Sequence, residues 1–169
     1  MKSAQEDAYL EFVTARSKAL YRSAYTLAAG DAHLAEDLVQ ETFSRLYVHW
    51  GRVSRADSPA AYAQTVLVRT FLSLRRRRST AERPTGTVPD SADSSAPDSA
   101  LRITLMDALA QLPPRERAVL LLRYWEGHTI EETARTLKLS NSAIRSQGTR
   151  ALTRLRALLG ESLSDLVPH

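Results

Sequence analysis

An all-α protein of two small helical lobes joined by a flexible tether is expected from three features of these 169 residues. Apolar side chains recur at three- and four-residue spacing through both halves, with no β-branched alternating run. The stretch STAERPTGTVPDSADSSAPDSA, Ser79 to Ala100, is rich in Pro, Ser and Ala and nearly free of large apolar residues, the composition of a linker. Charge follows the same partition: residues 1–80 hold 12 Lys/Arg against 8 Asp/Glu, residues 81–98 hold 1 against 4, and residues 99–169 hold 10 against 7. The expected organisation is a lobe over 1–78, an acidic tether over 79–100 and a second lobe over 101–169, each lobe near the lower size limit for its own core.

In the first lobe Tyr9, Phe12, Val13, Leu20, Ala24 and Leu27 mark one helix, with Gly30 as its expected C-cap. Asp31 is the expected N-cap of the next helix. Its broad apolar face is Leu34, Ala35, Leu38, Val39, Phe43, Leu46, Tyr47 and Trp50, and Gly51 is its expected end. Asp57, Ser58 and Pro59 open a third helix, striped by Ala63, Leu67, Thr70, Phe71 and Leu74 and running into Arg75 to Arg78. The second lobe begins with a helix around Leu101, Leu105, Ala108 and Leu109, closed by Pro113 and Pro114. The next carries Ala118, Leu121, Leu122 and Trp125 on one face and stops at Gly127. Thr129 then caps a short helix, with Glu132 at the capping-box position. After a break at Lys138 to Ser140, a last helix from Asn141 to Leu159 turns Ile144, Gly148, Ala151, Leu155 and Leu158 inward. Two helices joined by such a break form a helix-turn-helix.

Several function classes are disfavoured at once. With no cysteine there is no disulfide scaffold, zinc finger or thiol nucleophile. His33, His49, His128 and His169 lack metal-site spacing, so no metal and no cofactor is expected, and no catalytic residue stands out. No apolar run reaches a membrane span, and MKSAQEDAYLEF lacks the order of a signal peptide, so a cytoplasmic protein without membrane attachment is expected.

Three constellations carry functional information. From Ser140 to Leu159 the last helix has Arg145, Arg150, Arg154 and Arg156 and no acid. Its first turns offer Asn141, Ser142, Arg145, Ser146 and Thr149, residue types that reach phosphates and base edges from the major groove. A basic solvated helix closing a bundle is the plain alternative. The run Arg75 to Arg78 suits a helix C-terminus and, together with Arg69 and Ser73 on the polar side of the same helix, could neutralise several phosphates. In AEDLVQETF, residues 35–43, Asp37, Gln40 and Glu41 share one side with Ser44. An acidic stripe repels DNA and so points to a protein partner.

These segments in this order, AEDLVQETF, then YAQTVLVRTFLSLRRRR, a variable tether, LPPRERAVLLLRYWEGHTIEETARTL and IRSQGTRALTRLR, resemble a bacterial extracytoplasmic-function sigma factor of the sigma-70 superfamily. The wording is closest to the actinobacterial SigE-family branch. The resemblance implies sigma domain 2, a linker and sigma domain 4, and a role in directing core RNA polymerase to promoter DNA, without enzymatic activity. It implies that Asp37, Gln40, Glu41, Phe43 and Tyr47 dock on the clamp coiled coil of the largest polymerase subunit, with the second lobe on the flap of the second largest. It implies that the loop from Gly51 to Ser58, with Arg52 and Arg55, receives a flipped base of the minus-ten element, next to Arg69, Ser73, Arg75, Arg76, Arg77 and Arg78. Asn141, Ser142, Arg145, Ser146, Gln147, Thr149 and Arg150 fall where the family reads the minus-thirty-five element. An anti-sigma factor is a further partner the family allows.

Two positions depart from the family pattern: Arg69 stands where Asn is usual, and Lys138 where Gly is usual in the turn. A lysine at positive φ is strained by about 1 kcal/mol or more. Functionally, two weak basic modules on a tether of roughly 22 residues gain affinity through effective concentration, the tether spanning about 25 Å on average. The alternative is a stand-alone helix-turn-helix regulator binding operator DNA, which leaves the acidic stripe unexplained. A nuclease using Asp37 and Glu41 is a more distant reading.

Overall fold

The computed structural model describes residues 3–81 and 97–160. Eight α-helices and no strand occur among these residues: α1 (Ser3–Leu27), α2 (Ala32–Val48), α3 (Trp50–Ser54), α4 (Pro59–Ala81), α5 (Pro97–Ala110), α6 (Pro114–Leu120), α7 (Ile130–Leu137) and α8 (Asn141–Leu159). Helix α4 thus continues over 79–81 and α5 begins at Pro97, inside the span expected to be tether; residues 82–96 of that span lie outside the described residues.

Local chemistry sets most of the boundaries. At the end of α1 the amide of Gly30 donates to the Tyr25 carbonyl and that of Ala29 to Thr26, both at 3.0 Å, the paired closure of a Schellman turn. The left-handed position is therefore Ala29 (φ 53), one residue before the expected Gly30, which itself lies at φ 88. Asp31 caps α2 by accepting from the Leu34 amide at 3.1 Å, and Ser58 caps α4 by accepting from Ala61 at 3.1 Å. Pro113 and Pro114 stand at N-cap and N1 of α6, where a missing N–H removes no helical bond.

Three expectations need correction. Gly51 does not end a helix: α2 stops at Val48 and Gly51 lies inside α3, because Trp50 and Val53 three residues apart are both buried and hold that turn helical. The segment expected as a loop from Gly51 to Ser58 is therefore helical up to Ser54. Leu158 is exposed and Leu159 is buried, as the four-residue step from Leu155 requires. Finally, α6 passes into a π turn over Leu121–Trp125, in which the Glu126 amide donates to the Leu121 carbonyl at 2.8 Å. One inserted residue of this kind shifts the facing of everything after it, and Trp125 ends half-buried between the two cores.

The two lobes are packed on each other. One core joins Leu20, Leu27, Leu38, Leu46, Leu67 and Phe71 of α1, α2 and α4 to Val119, Leu122, Leu137 and Ile144 of the second lobe. A smaller core of Leu105, Leu109, Leu120, Ala151 and Leu155 lies within the second lobe and touches Tyr25 and Ala29 of the first. Two cores near the size limit for independent stability gain by continuity, since buried apolar area is what a short lobe lacks.

Candidate nucleic-acid and protein interface

Helices α7 and α8 form the helix-turn-helix. Thr129 accepts from the Glu132 amide, and the Glu132 carboxylate accepts from the Thr129 amide, each at 3.0 Å, completing the capping box. The Thr129 backbone N–H and then its hydroxyl hold the Glu132 carboxyl below the usual carboxylate range. Lys138 adopts the left-handed conformation (φ 57, ψ 47) and its amide donates to the Ala134 carbonyl. The turn keeps the geometry a glycine would supply and carries the strain of a side chain there. Ser140 caps α8 by accepting from the Ala143 amide at 3.1 Å.

Ile144, Gly148, Ala151, Leu155 and Leu159 turn α8 inward. Asn141, Ser142, Arg145, Ser146, Thr149 and Arg150 are thereby left exposed as one polar, cationic face. Gln147 is half-buried at its edge, with its Oε1 buried and without a hydrogen-bond partner. Arg154 is drawn away from this face by Glu116 of α6, a near-buried carboxylate at 2.9 Å. The helix therefore sorts its arginines by neighbour, and only its charge marks Glu116 in the sequence as a partner.

On α2, Asp37 and Gln40 are exposed, and Glu41 pairs with Arg45 one turn on at 3.1 Å. Phe43 is half-buried and its carbonyl accepts from the Tyr9 hydroxyl at 2.8 Å. Tyr47 is 41% exposed and lies edge-on to Tyr9, with ring centroids 5.1 Å apart. Tyr9 also packs edge-on to Trp50, which in turn meets Phe12 at 5.4 Å. Burial, then Tyr47, raises the Tyr9 phenol above its ordinary range. This aromatic group fixes the exposed end of α2, where Val48 is 73% exposed beside Tyr47. Val48 and Tyr9 went unmarked as functional candidates; Val48 was recognisable as an apolar residue off the buried stripe.

The third set is divided. Arg52 and Arg55 are exposed on and just after α3, the Arg55 Nε donating to the Gly51 carbonyl at 2.8 Å. On α4, Ser73 and Arg75 are half-buried, while Arg76 and Arg77 are exposed; the Arg78 side chain lies outside the described residues. Arg69, expected to be continuous with them, instead reaches the second lobe. Its Nε donates to the Thr136 carbonyl at 2.9 Å and its Nη2 to the Arg135 carbonyl at 3.2 Å. Nearby, buried Arg117 of α6 lies over the Phe71 ring, 5.3 Å from its centroid. Burial, and then the charge of Arg75, lowers the Arg117 guanidinium to about 10, so it stays cationic near neutrality. No group of three or more His, Cys, Asp or Glu able to hold a metal ion occurs among the described residues, and no described helix is long and apolar enough to cross a membrane.

Two family descriptions match the chain: sigma-70 region 2 over residues 12–80 and sigma-70 region 4 over residues 108–157. It is 40% identical over 147 residues to the RNA polymerase sigma-E factor of Streptomyces avermitilis, covering 86% of this chain and 82% of that one. It is 32% identical over 148 residues to the ECF RNA polymerase sigma factor SigL of Mycobacterium tuberculosis, covering 84% and 83%. Among solved structures, the sigma factor RpoE in complex with the anti-sigma factor NepR from Bartonella quintana shares the fold with a TM-score of 0.68 at 22% identity, over 91% of this chain and 98% of that one. CnrH in complex with the cytosolic domain of CnrY shares it at 0.59 and 21% identity, over 91% and 88%.

Proposed function

Since the chain belongs to the ECF RNA polymerase sigma factors and carries both sigma-70 regions, we propose a division of labour among its surfaces. As a sigma factor it serves transcription initiation; the proposal concerns which residues do so. The outer face of α8, with Arg145, Ser146, Thr149 and Arg150 exposed and Gln147 at its edge, reads the minus-thirty-five element from the major groove. Helix α4 with Arg69, Ser73 and Arg75 to Arg78, and the α3 region with Arg52 and Arg55, hold the minus-ten strand and an unstacked base. Trapping bases that have left the stack drives melting without a catalytic group, each base contributing on the order of 1 to 3 kcal/mol. Asp37, Gln40, Glu41, Phe43 and Tyr47 dock on the clamp coiled coil of the polymerase and the second lobe on the flap. The setting is the cytoplasm, and an anti-sigma factor is a further partner in the same reading.

The observation that supports this assignment best is the sorting of α8: every apolar residue expected inside except Leu158 is buried, and the polar and cationic residues of its first turns stand exposed. The stand-alone regulator is not favoured, because it accounts for the helix-turn-helix but not for sigma-70 region 2. Run-off transcription with core polymerase and a promoter library tests the reading. A product that depends on this chain and on an upstream element is expected; no product above core alone, with the chain folded, would refute it.

A further inference from the structure

Among the described residues Arg117 is the one arginine buried in the fold, only 4% exposed. Its guanidinium carbon lies 5.3 Å from the centroid of the Phe71 ring, so α6 meets α4 along a seam filled by that ring. A ring face attracts the cation but offers no lone pair to the N–H groups, which lie in the guanidinium plane. The Nε of Arg117 is buried without a hydrogen-bond partner. Burying a charge is costly unless a counter-charge comes with it. The described ion pairs join Glu41 to Arg45 and Glu116 to Arg154, and neither involves Arg117. The charge that does act on it has the same sign. Arg75 stands on α4 one turn beyond Phe71, on the same face, half-buried and likewise outside the described ion pairs. Burial, and then Arg75, lowers the Arg117 guanidinium to about 10, in keeping with a buried cation that lacks a counter-charge.

We propose that Arg117 and Arg75 form a binding site for a small free oxyanion of two or more negative charges, of the inorganic phosphate or pyrophosphate class. Each guanidinium presents a planar fork of N–H donors that matches two oxygens of such an anion. Held between the two, the anion turns a repulsion into two attractions and gives the orphaned Nε an acceptor. A chloride ion balances one cation and has no pair of oxygens for a fork. A nucleic-acid backbone fits poorly, because its phosphodiesters are monoanions on a bulky chain and Arg117 is almost wholly enclosed. Arg75, half-buried on a flexible stem, is the side chain that a small ion has to displace to reach it. Since α4 and α6 belong to different lobes, the anion adds a polar bridge beside the shared core. Stability of the chain is thereby linked to the phosphate concentration around it. The site concerns the free chain and stands whether or not the promoter assignments hold.

Thermal unfolding of the full chain in sodium phosphate, against sodium chloride at matched ionic strength, tests the site. A saturating rise in Tm is expected, of about 2 to 4 °C at a phosphate concentration about five times the dissociation constant from the same titration. Saturation separates binding from the general stabilisation by excluded salts, which keeps rising with concentration. Arg75→Gln should remove most of the rise. Arg150→Gln, which takes the same charge from an exposed position on α8, should keep it. Arg117→Met, similar in reach and without charge, should abolish it; if that variant fails to fold, the contrast between Arg75→Gln and Arg150→Gln decides. No saturating rise in the unsubstituted chain, or an equal rise in Arg75→Gln and Arg150→Gln, would overturn the site. A short single-stranded oligonucleotide without a terminal phosphate is the second arm, and it should give no rise that depends on Arg117. An oligonucleotide-induced rise abolished by Arg117→Met would assign the site to a strand backbone and overturn the free-anion reading.

Discussion

Helices α4 and α8 are both long, both basic on one side and both buried on the other, yet their cationic faces stand in different conditions. On α8, Arg145 and Arg150 are exposed, while Arg154, farther along, is taken by Glu116. On α4, Arg69 caps a neighbouring helix and Arg75 lies half-buried near Arg117. The difference comes from the packing partner. The inner face of α8 packs mainly within its own lobe, so its outer face is free; α4, together with α1, is what the other lobe closes against. A basic helix face is thus an inventory of charges whose availability is set by what packs beside it.

Removing the seam's ring should give the largest effect. Phe71→Ala leaves a cavity beneath Arg117 in the shared core and is expected to destabilise the chain by about 3 to 5 kcal/mol in denaturant unfolding. A loss below about 1 kcal/mol would mean that the lobes do not share a core. Arg145→Ala should then weaken binding by about 1 to 3 kcal/mol on the matching upstream element in competition assays, and much less on others. Equal loss on every sequence would make Arg145 a phosphate contact, erasing the contrast between a reading helix and a strand-holding one.

Thr129→Ala removes the cap that orients α7 under Arg69, and a loss of roughly 0.5 to 2 kcal/mol is expected by thermal unfolding. The same box has a pH signature. Glu132 has its carboxyl lowered in the fold, so its stabilisation is present above its unfolded value and is lost as pH falls through the lower folded one. Glu132→Gln should therefore flatten the acid side of the stability curve; an unaltered curve would remove Glu132 as its source. Smallest is Gly148→Ala. A Cβ there would meet Val119 Cγ1 at 3.8 Å, an ordinary contact, so the helix should gain up to about 1 kcal/mol. A loss instead would show that the α6–α8 spacing has no room for a methyl.

Much of this was legible in advance because it depends on neighbours along the chain. Thr129 with Glu132, Asp31 with Leu34, Ser140 with Ala143 and the two prolines of α6 act over three or four residues, so residue type and order suffice. The apolar spacing of α8 is equally local and placed its exposed set. The errors share the opposite origin. Gly51 sits in a helix because Trp50 and Val53 find a core, and the π turn follows no pattern of residue types. Leu158 is the exception to that origin, since the four-residue step from buried Leu155 already favours Leu159 over Leu158.

The sequence by itself determined an all-α chain, the starts of α2, α4, α6, α7 and α8, the polar face of α8 and the acidic stripe of α2, since caps and periodicity are properties of short segments. Only the tertiary structure decided that the lobes share a core, that Glu116 takes Arg154, and that Arg69 turns from α4 to the end of α7. The Glu116 and Arg69 contacts join residues 38 and 67 positions apart, and long-range pairing of charges and carbonyls depends on where helices come to rest, which no local pattern encodes.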